Sequence, residues 1–217
     1  FTGVVTYHVC PDDEQDPALK GGQGMVIKVY SQGADGSKKY FAAKQPVDLT
    51  RLRGQAREAQ VYFNLDPSEH VHLGFLVDIV RHMGVPLLIM EWAEKGSLVQ
   101  WLSNQQAVRA KCKGNTVFEA RLMEGAVVLA IQLARGLQSL HTLCDSDGKP
   151  TPMVHQDLKP GNLLVFGALL KIIDFGLCCS AAGGDEEEEE DDSSSGGLAK
   201  VAAVVGGTRG FMAPEQL

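Results

Sequence analysis

Between residues 153 and 176 the chain reads MVHQDLKPGNLLVFGALLKIIDFG, which carries three short oxygen-bearing side chains, Asp157, Asn162 and Asp174. Oxygens of this type hold Mg²⁺, which takes a few carboxylate or amide ligands and keeps several of its waters. Lys159 adds a cation between them. Any one of these groups, taken singly, reads as an ordinary solvated loop residue. The spacing sets them apart as a group. The apolar runs 163–166 and 169–173, separated by Gly167, predict a strand, a tight turn and a second strand. Such a hairpin would hold Asn162 and Asp174 near the same end, a pairing suited to a metal-bound phosphate.

Holding such groups requires a core, and 217 residues with 44% apolar side chains are enough for one large domain or two small lobes. The net charge of −7 is local in origin: residues 185–192 are an unbroken acidic run, and removing its eight acids from the 27 leaves 19 against 20 Lys and Arg. Nothing in that balance suggests the broad basic surface of a nucleic-acid binder. Five cysteines, an odd number without C-x-x-C pairing, argue against a disulfide framework and a zinc site, and point to a reducing, intracellular and cytoplasmic setting. No apolar run approaches the roughly 20 residues that span a bilayer. The chain opens FTGVVTYHVC, with neither an initiator methionine nor a signal pattern, as an excerpt of a longer protein would.

The supporting elements follow in order. Residues 19–30, LKGGQGMVIKVY, set glycines before a β-branched run, as where a backbone approaches a ligand before entering a strand. Residues 31–39 read as a hairpin turn and 40–44 as a strand ending in Lys44, by default a surface charge. From residue 48 to about 65 an amphipathic helix is expected, with Leu49, Leu52, Ala56, Ala59 and Phe63 recurring at three- and four-residue spacings. Its one glutamate, Glu58, would on position alone form a surface ion pair with Arg57 or a neighbour. His70 and His72 resemble a metal-ligand pair but have no third ligand nearby, so they read as the turn into a strand over 74–80. Residues 86–90 read as a buried strand. Ser97 is an expected N-cap for a short helix carrying Leu98, Trp101 and Leu102, followed by a surface loop over 108–116. A long helix over about 118–141, with Leu122, Ala126, Leu129, Leu133, Leu137 and Leu140 on one stripe, is scaffolding, and 145–152 is a loop. The stretch around the acidic run combines like charges with small residues and is expected to be a solvated, disordered insertion. Phosphorylation of Ser193 to Ser195 or docking of a basic partner there is a weaker alternative, and Cys178 and Cys179 read as ordinary thiols.

The central pattern resembles the catalytic core of the eukaryotic protein kinases. Residues 155–162, HQDLKPGN, match the family's H-R-D-L-x-x-x-N except at Gln156, and Asp174-Phe175-Gly176 matches D-F-G. In the same register, residues 19–30 resemble the glycine-rich loop G-x-G-x-x-G-x-V, with Gly22, Gly24 and Val29 in place and Ile27 where the third glycine belongs. Phe41 to Lys44 stands where the family has V-A-I-K. Met212-Ala213-Pro214-Glu215 resembles the closing A-P-E. The resemblance implies an α+β, two-lobed protein-kinase-like fold. A small antiparallel β-sheet lobe with one helix and the hinge would occupy residues 1–93. A mainly helical large lobe, truncated after A-P-E, would occupy 94–217, with the acidic insertion at 183–197.

The same resemblance implies a protein serine/threonine kinase that uses ATP and Mg²⁺ and acts on a protein substrate. Asn162 and Asp174 would hold the metal, Lys44 braced by Glu58 would orient the phosphates, Asp157 would accept the hydroxyl proton and Lys159 would steady the transferred group. Val29 and Ala42 would roof the adenine with Leu164 beneath, Met90 would be the gatekeeper, and the backbones of Glu91 and Ala93 would bind the ring. Thr208, together with Lys159, points to Ser or Thr as acceptor. Gln156 cannot make the charge-assisted contact with a phosphorylated activation segment that the family's arginine makes, so activity is not expected to need that phosphorylation. The alternative is a pseudokinase, a binding or scaffold module with the same fold. A P-loop ATPase is distant, because no G-x-x-x-x-G-K-[ST] occurs.

Overall fold

The computed structural model describes residues 5–11, 20–21, 24–46, 52–145, 147–180 and 207–214. Gly22, Glu215 and the acidic run lie outside them. The first lobe is built on an antiparallel sheet: β1 (His8–Val9), β2 (Lys20–Gly21), β3 (Gly24–Gln32), β4 (Lys38–Pro46), β5 (Leu76–His82) and β6 (Val85–Glu91). The order is β1-β3-β4-β6-β5, with β2 also on β3. The β3/β4 ladder runs from Gly24 opposite Pro46 to Gln32 opposite Lys38. Its register sends Ala42 and Lys44 to one face and Phe41 and Ala43 to the other, because successive side chains of a strand alternate. Val29, Phe41, Ala43 and Ile89 are buried together on the second face.

Helix α1 (Leu52–Phe63) packs beside this sheet with an inward face that differs from the expected stripe. Gln55, Glu58, Ala59 and Tyr62 are buried, whereas Ala56 is exposed and Phe63 is 72% exposed. The helix presents polar groups inward toward the cleft; of the expected stripe Ala59 is buried, Ala56 and Phe63 are not, and Leu49 lies outside the described residues.

The second lobe contains α2 (Leu98–Lys111) and α3 (Thr116–His141), the short strands β7 (Met153–Val154) and β10 (Cys179–Ser180), and the hairpin β8 (Leu163–Phe166) and β9 (Leu169–Ile172). Ser97 caps α2 in a capping box with Gln100, an arrangement worth about 1 kcal/mol. That helix runs to Lys111, well into the expected 108–116 loop, and Asn115 caps α3 soon afterwards. On α3, Leu129, Leu133, Leu137 and Leu140 meet the core, while Ala126 is exposed. The main core joins the lobes: Tyr62 and Leu65 from α1 and its end, Leu73, Leu140, Ile172 and Phe175 are buried in one cluster. The chain thus forms a small antiparallel β lobe with one helix set on a mainly helical lobe.

Candidate active site

The turn Pro160–Asn162 and the β8/β9 hairpin build the floor of the cleft between the lobes. Gly167, at φ 55°, makes the hairpin turn, a left-handed conformation that glycine adopts without steric cost. Leu163 lies opposite Ile172, and Ile173 N–H donates to the Asn162 carbonyl at 3.0 Å, which brings Asn162 and Asp174 to one end.

Three side chains converge on Asp157. Lys159 Nζ lies 2.6 Å from Asp157 Oδ2, Thr208 Oγ1 donates to Oδ1 at 2.7 Å, and Asn162 Nδ2 donates to Oδ2 at 3.1 Å and to the Asp157 carbonyl at 2.9 Å. Lys159 also donates to Thr208 Oγ1 at 2.6 Å. Burial disfavours the Asp157 charge, but the hydrogen bonds from Lys159 and Thr208, the Lys159 charge and the Asn162 amide outweigh it. Its carboxyl is therefore held below the ordinary carboxylate range. His155 supports the same loop. Its Nδ1 accepts from Asp157 N–H at 3.2 Å, which leaves Nε2, 3.0 Å from the Ile173 carbonyl, as the donor. Desolvation lowers the His155 pKa, in keeping with this neutral ring.

Lys44 ties the lobes together. Its Nζ lies 2.7 and 2.8 Å from the two Glu58 oxygens and 2.8 Å from Asp174 Oδ1. Burial alone would lower the lysine pKa; the Glu58 and Asp174 charges and hydrogen bonds raise it overall, so the side chain is a fixed cation. Glu58 is 2% exposed, so the bland surface-pair alternative does not describe it.

Asp174 and Gln156 both adopt positive φ, 70° and 62°, a conformation uncommon outside glycine that clusters at functional sites. Phe175 is fully buried, edge-on to Tyr62 at 5.0 Å and to His155 at 5.8 Å. A side chain of that size stabilises by roughly 1.5–3 kcal/mol when buried, and here it anchors Asp174 against α1. Gln156 Nε2 donates to Cys179 Sγ at 2.9 Å, where β10 pairs with β7. Burial, with the adjacent Cys179, pushes the Cys178 thiol well up, so it is inert at neutral pH.

The cleft encloses about 580 Å³ and is lined by Val26, Ala42, Met90, Glu91, Ala93 and Leu164 together with Lys44, Asn162 and Asp174. Val29 is not among them. It is 5% exposed on the opposite face of the sheet, opposite Phe41, whereas Val26 lies opposite Lys44. Ile27 likewise packs on the far-face cluster, away from the phosphate end. The glycine-rich register is therefore corrected by three residues. Gly21 and Gly24 face each other across β2 and β3, Val26 follows in the valine position, and Leu19 stands where the first glycine would be. Period-two counting back from Ala42 and Lys44 across a hairpin centred on residues 33–37 could have found Val26. Tyr62, one helical turn beyond Glu58, also escaped notice; its hydroxyl lies 3.5 Å from Glu58 Oε1.

The donor set fits a divalent cation and an anionic ligand. Three carboxyl groups, Glu58, Asp157 and Asp174, meet two ammonium groups, Lys44 and Lys159, around the cleft. Asn162 commits its amide nitrogen to Asp157 and has its carbonyl oxygen left to offer, beside the Asp174 carboxylate in the cleft lining. Among the described residues no three His, Cys, Asp or Glu side chains form a metal cage. Two protein oxygens plus water is the sparse ligation Mg²⁺ accepts.

Comparison with known proteins agrees with this architecture. The family described as Protein kinase domain matches residues 19–217. The chain is 31% identical over 159 residues to Mitogen-activated protein kinase kinase kinase 7 of Drosophila melanogaster, covering 72% of this chain and 20% of that protein. It is 32% identical over 161 residues to the LRR receptor-like serine/threonine-protein kinase GSO1 of Arabidopsis thaliana, covering 72% and 12%. Its likeness to the G-type lectin S-receptor-like serine/threonine-protein kinase SD2-5 of the same plant is 31% over 202 residues, covering 91% and 21%. The chain belongs to the protein kinase domain family. It spans about a fifth or less of the length of the first two of these relatives.

Proposed function

We propose that this domain transfers the γ-phosphoryl group of ATP to serine or threonine hydroxyls of a protein substrate. The observation that carries the reading is the Asp157 carboxylate, ionised and gripped by Lys159, Thr208 and Asn162 at the floor of a nucleotide-sized cleft. Asp157 takes the proton of the acceptor hydroxyl as general base. Lys159, bonded to both Asp157 and Thr208, keeps that carboxylate aimed and neutralises charge on the transferred group. Lys44, held by Glu58, orients the phosphates at the other side of the cleft. Asn162 and Asp174 would hold Mg²⁺, which supplies charge neutralisation to the phosphates when bound. Ala42 and Val26 cover the adenine end, Leu164 underlies it, Met90 closes its back, and the Glu91 and Ala93 backbones offer hydrogen bonds to the ring. Gly24 stands at the phosphate end, opposite Gly21.

The names of relatives described as serine/threonine kinases support the choice of acceptor. The five cysteines form no disulfide, which suits a reducing, intracellular setting, and among the described residues no helix is long and apolar enough to cross a membrane. Transfer of labelled phosphate from ATP to a Ser/Thr peptide library tests the reading. Asp157→Asn should lower the single-turnover rate by about 10²–10⁴, the usual contribution of a general base, with nucleotide affinity retained. Asp174→Ala should abolish transfer. A folded wild-type chain that transfers nothing and whose melting ignores Mg-ATP would leave the domain a binding module instead.

A further inference from the structure

Lys171 is a lysine where the fold has little reason to keep one. It lies on β9 between Leu170 and Ile172, 1% and 0% exposed, and is itself 7% exposed. A buried ammonium is costly unless paired, and this one is paired on three sides. Its Nζ is 2.5 Å from Glu91 Oε2, 4.6 Å from the centre of the Phe75 ring and 5.0 Å from that of Phe166. Ring faces attract a desolvated cation, so the site is built for the charge.

The partners belong to different lobes. Glu91 ends β6 and is held in the sheet opposite Phe41. The β8/β9 hairpin that carries Lys171 is strapped to the other lobe: Gln132 of α3 accepts from Leu170 N–H at 2.6 Å and donates to the Ala168 carbonyl at 3.0 Å. Lys95 donates to the Gly167 carbonyl at 2.6 Å. Lys171 also lies opposite Leu164 in the ladder, the residue on the cleft floor.

We infer that Lys171 and Glu91 form a clasp across the pivot between the lobes, fixing the Glu91 peptide groups over Leu164 and so setting the affinity of the cleft for the adenine end of a nucleotide. This rests on the proposed ATP site and deepens it. Both are positioning residues: the ion pair holds the segment that touches the ring and does not itself reach the reacting phosphate. Because the clasp acts at one end of the cleft, its loss should weaken adenine recognition and spare phosphate recognition.

Isothermal titration of the full chain with adenosine, Mg-ATP and Mg-tripolyphosphate tests this. Glu91→Gln and Lys171→Met should each weaken adenosine and ATP by about tenfold, equivalent to ~1.4 kcal/mol, and leave tripolyphosphate unchanged. Lys171→Arg, which retains the cation, should recover most of the loss. The double variant E91Q/K171M leaves neither a buried unpaired charge nor a clasp, and should show the same selective loss if a single variant fails to fold. Wild-type affinity for adenosine in every variant would overturn the clasp while leaving the ATP site standing. Equal weakening of adenosine and tripolyphosphate would overturn it too, by showing a general loosening of the fold. A wild-type chain that binds none of the three probes would overturn the ATP site, and the clasp with it.

Discussion

Asp157 shows how single residues set the chemistry. Its carboxyl is held below its ordinary range by donors that would be lost one at a time on mutation, which gives the pH dependence a definite sign. A carboxylate depressed in the folded state adds stability that is fully present above its unfolded pKa and is lost as pH falls through the folded value. In the proposed role of general base Asp157 must be ionised, so activity is expected to fall on the acid side. Thr208→Val removes the 2.7 Å hydrogen bond to Oδ1, raises the Asp157 pKa and should move the acid limb of the kcat/KM profile to higher pH. A limb that stays in place, measured on the same peptide, would detach Thr208 from the base. Gln156 belongs to the same scale. Its amide donates to Cys179 Sγ at 2.9 Å; the expectation that activity does not need phosphorylation of the segment after Leu177 is checked by alanine changes at its Ser and Thr residues, which should leave the rate within a few-fold of wild type.

At the scale of elements, α3 and β9 are the frame on which the floor rests. Gly136 sits where α3 passes the segment leading to β5, and a Cβ there would come within 2.9 Å of the His72 carbonyl oxygen and of Ile172 Cδ1. His72 in turn has Nδ1 3.1 Å from the Leu170 carbonyl, so the helix, that segment and the hairpin are locked together. Gly136→Val therefore overpacks a junction of backbones and should cost about 1–3 kcal/mol, read as a lower urea midpoint with unchanged slope. Gly125, with open space around its Cβ position on the same helix, is the control: Gly125→Ala should be neutral or slightly stabilising, since alanine is the better helix former. Helix α1 makes a different point. Its inward face is Gln55, Glu58, Ala59 and Tyr62, and Gln55 Nε2 reaches the Lys44 and Pro86 carbonyls at 3.3 and 3.4 Å. The helix is docked by polar contacts to the strands it must position.

Across the whole molecule, the lobes meet through the Lys44–Asp174 ion pair, the edge-on contact of Phe175 with Tyr62 and the Lys171–Glu91 pair. A ligand lodged between them binds the folded chain and not the unfolded one. Mg-ATP at a hundred times its dissociation constant should thus stabilise the protein by about 2.7 kcal/mol, visible as a rise in melting temperature. Asp174→Asn should remove the magnesium-dependent part of that rise and keep the part that adenosine alone produces. Equal shifts in wild type and variant would argue that Asp174 does not hold the metal.

The local pattern of residues 153–176 determined a great deal unaided, because hairpin, loop and metal-type oxygens lie close together in the chain and short-range spacing dictates their geometry. The β8/β9 hairpin, the Ser97 cap and the long α3 helix follow from alternation, capping chemistry and period alone. Tertiary structure decided whatever depends on which face an element turns inward. Val26 rather than Val29 meets the cleft because the β3/β4 register puts it opposite Lys44, and a slip of an odd number of residues moves a strand's side chains to the other face. Phe63 is exposed and Glu58 buried because the cleft, not the apolar count, orients α1. Lys171 falls in the run 169–173, where the apolar pattern predicts only a strand. Its role emerges when Glu91, Phe75 and Phe166 are folded around it from separate segments, since a charge can be buried only where distant parts of the chain supply its partners.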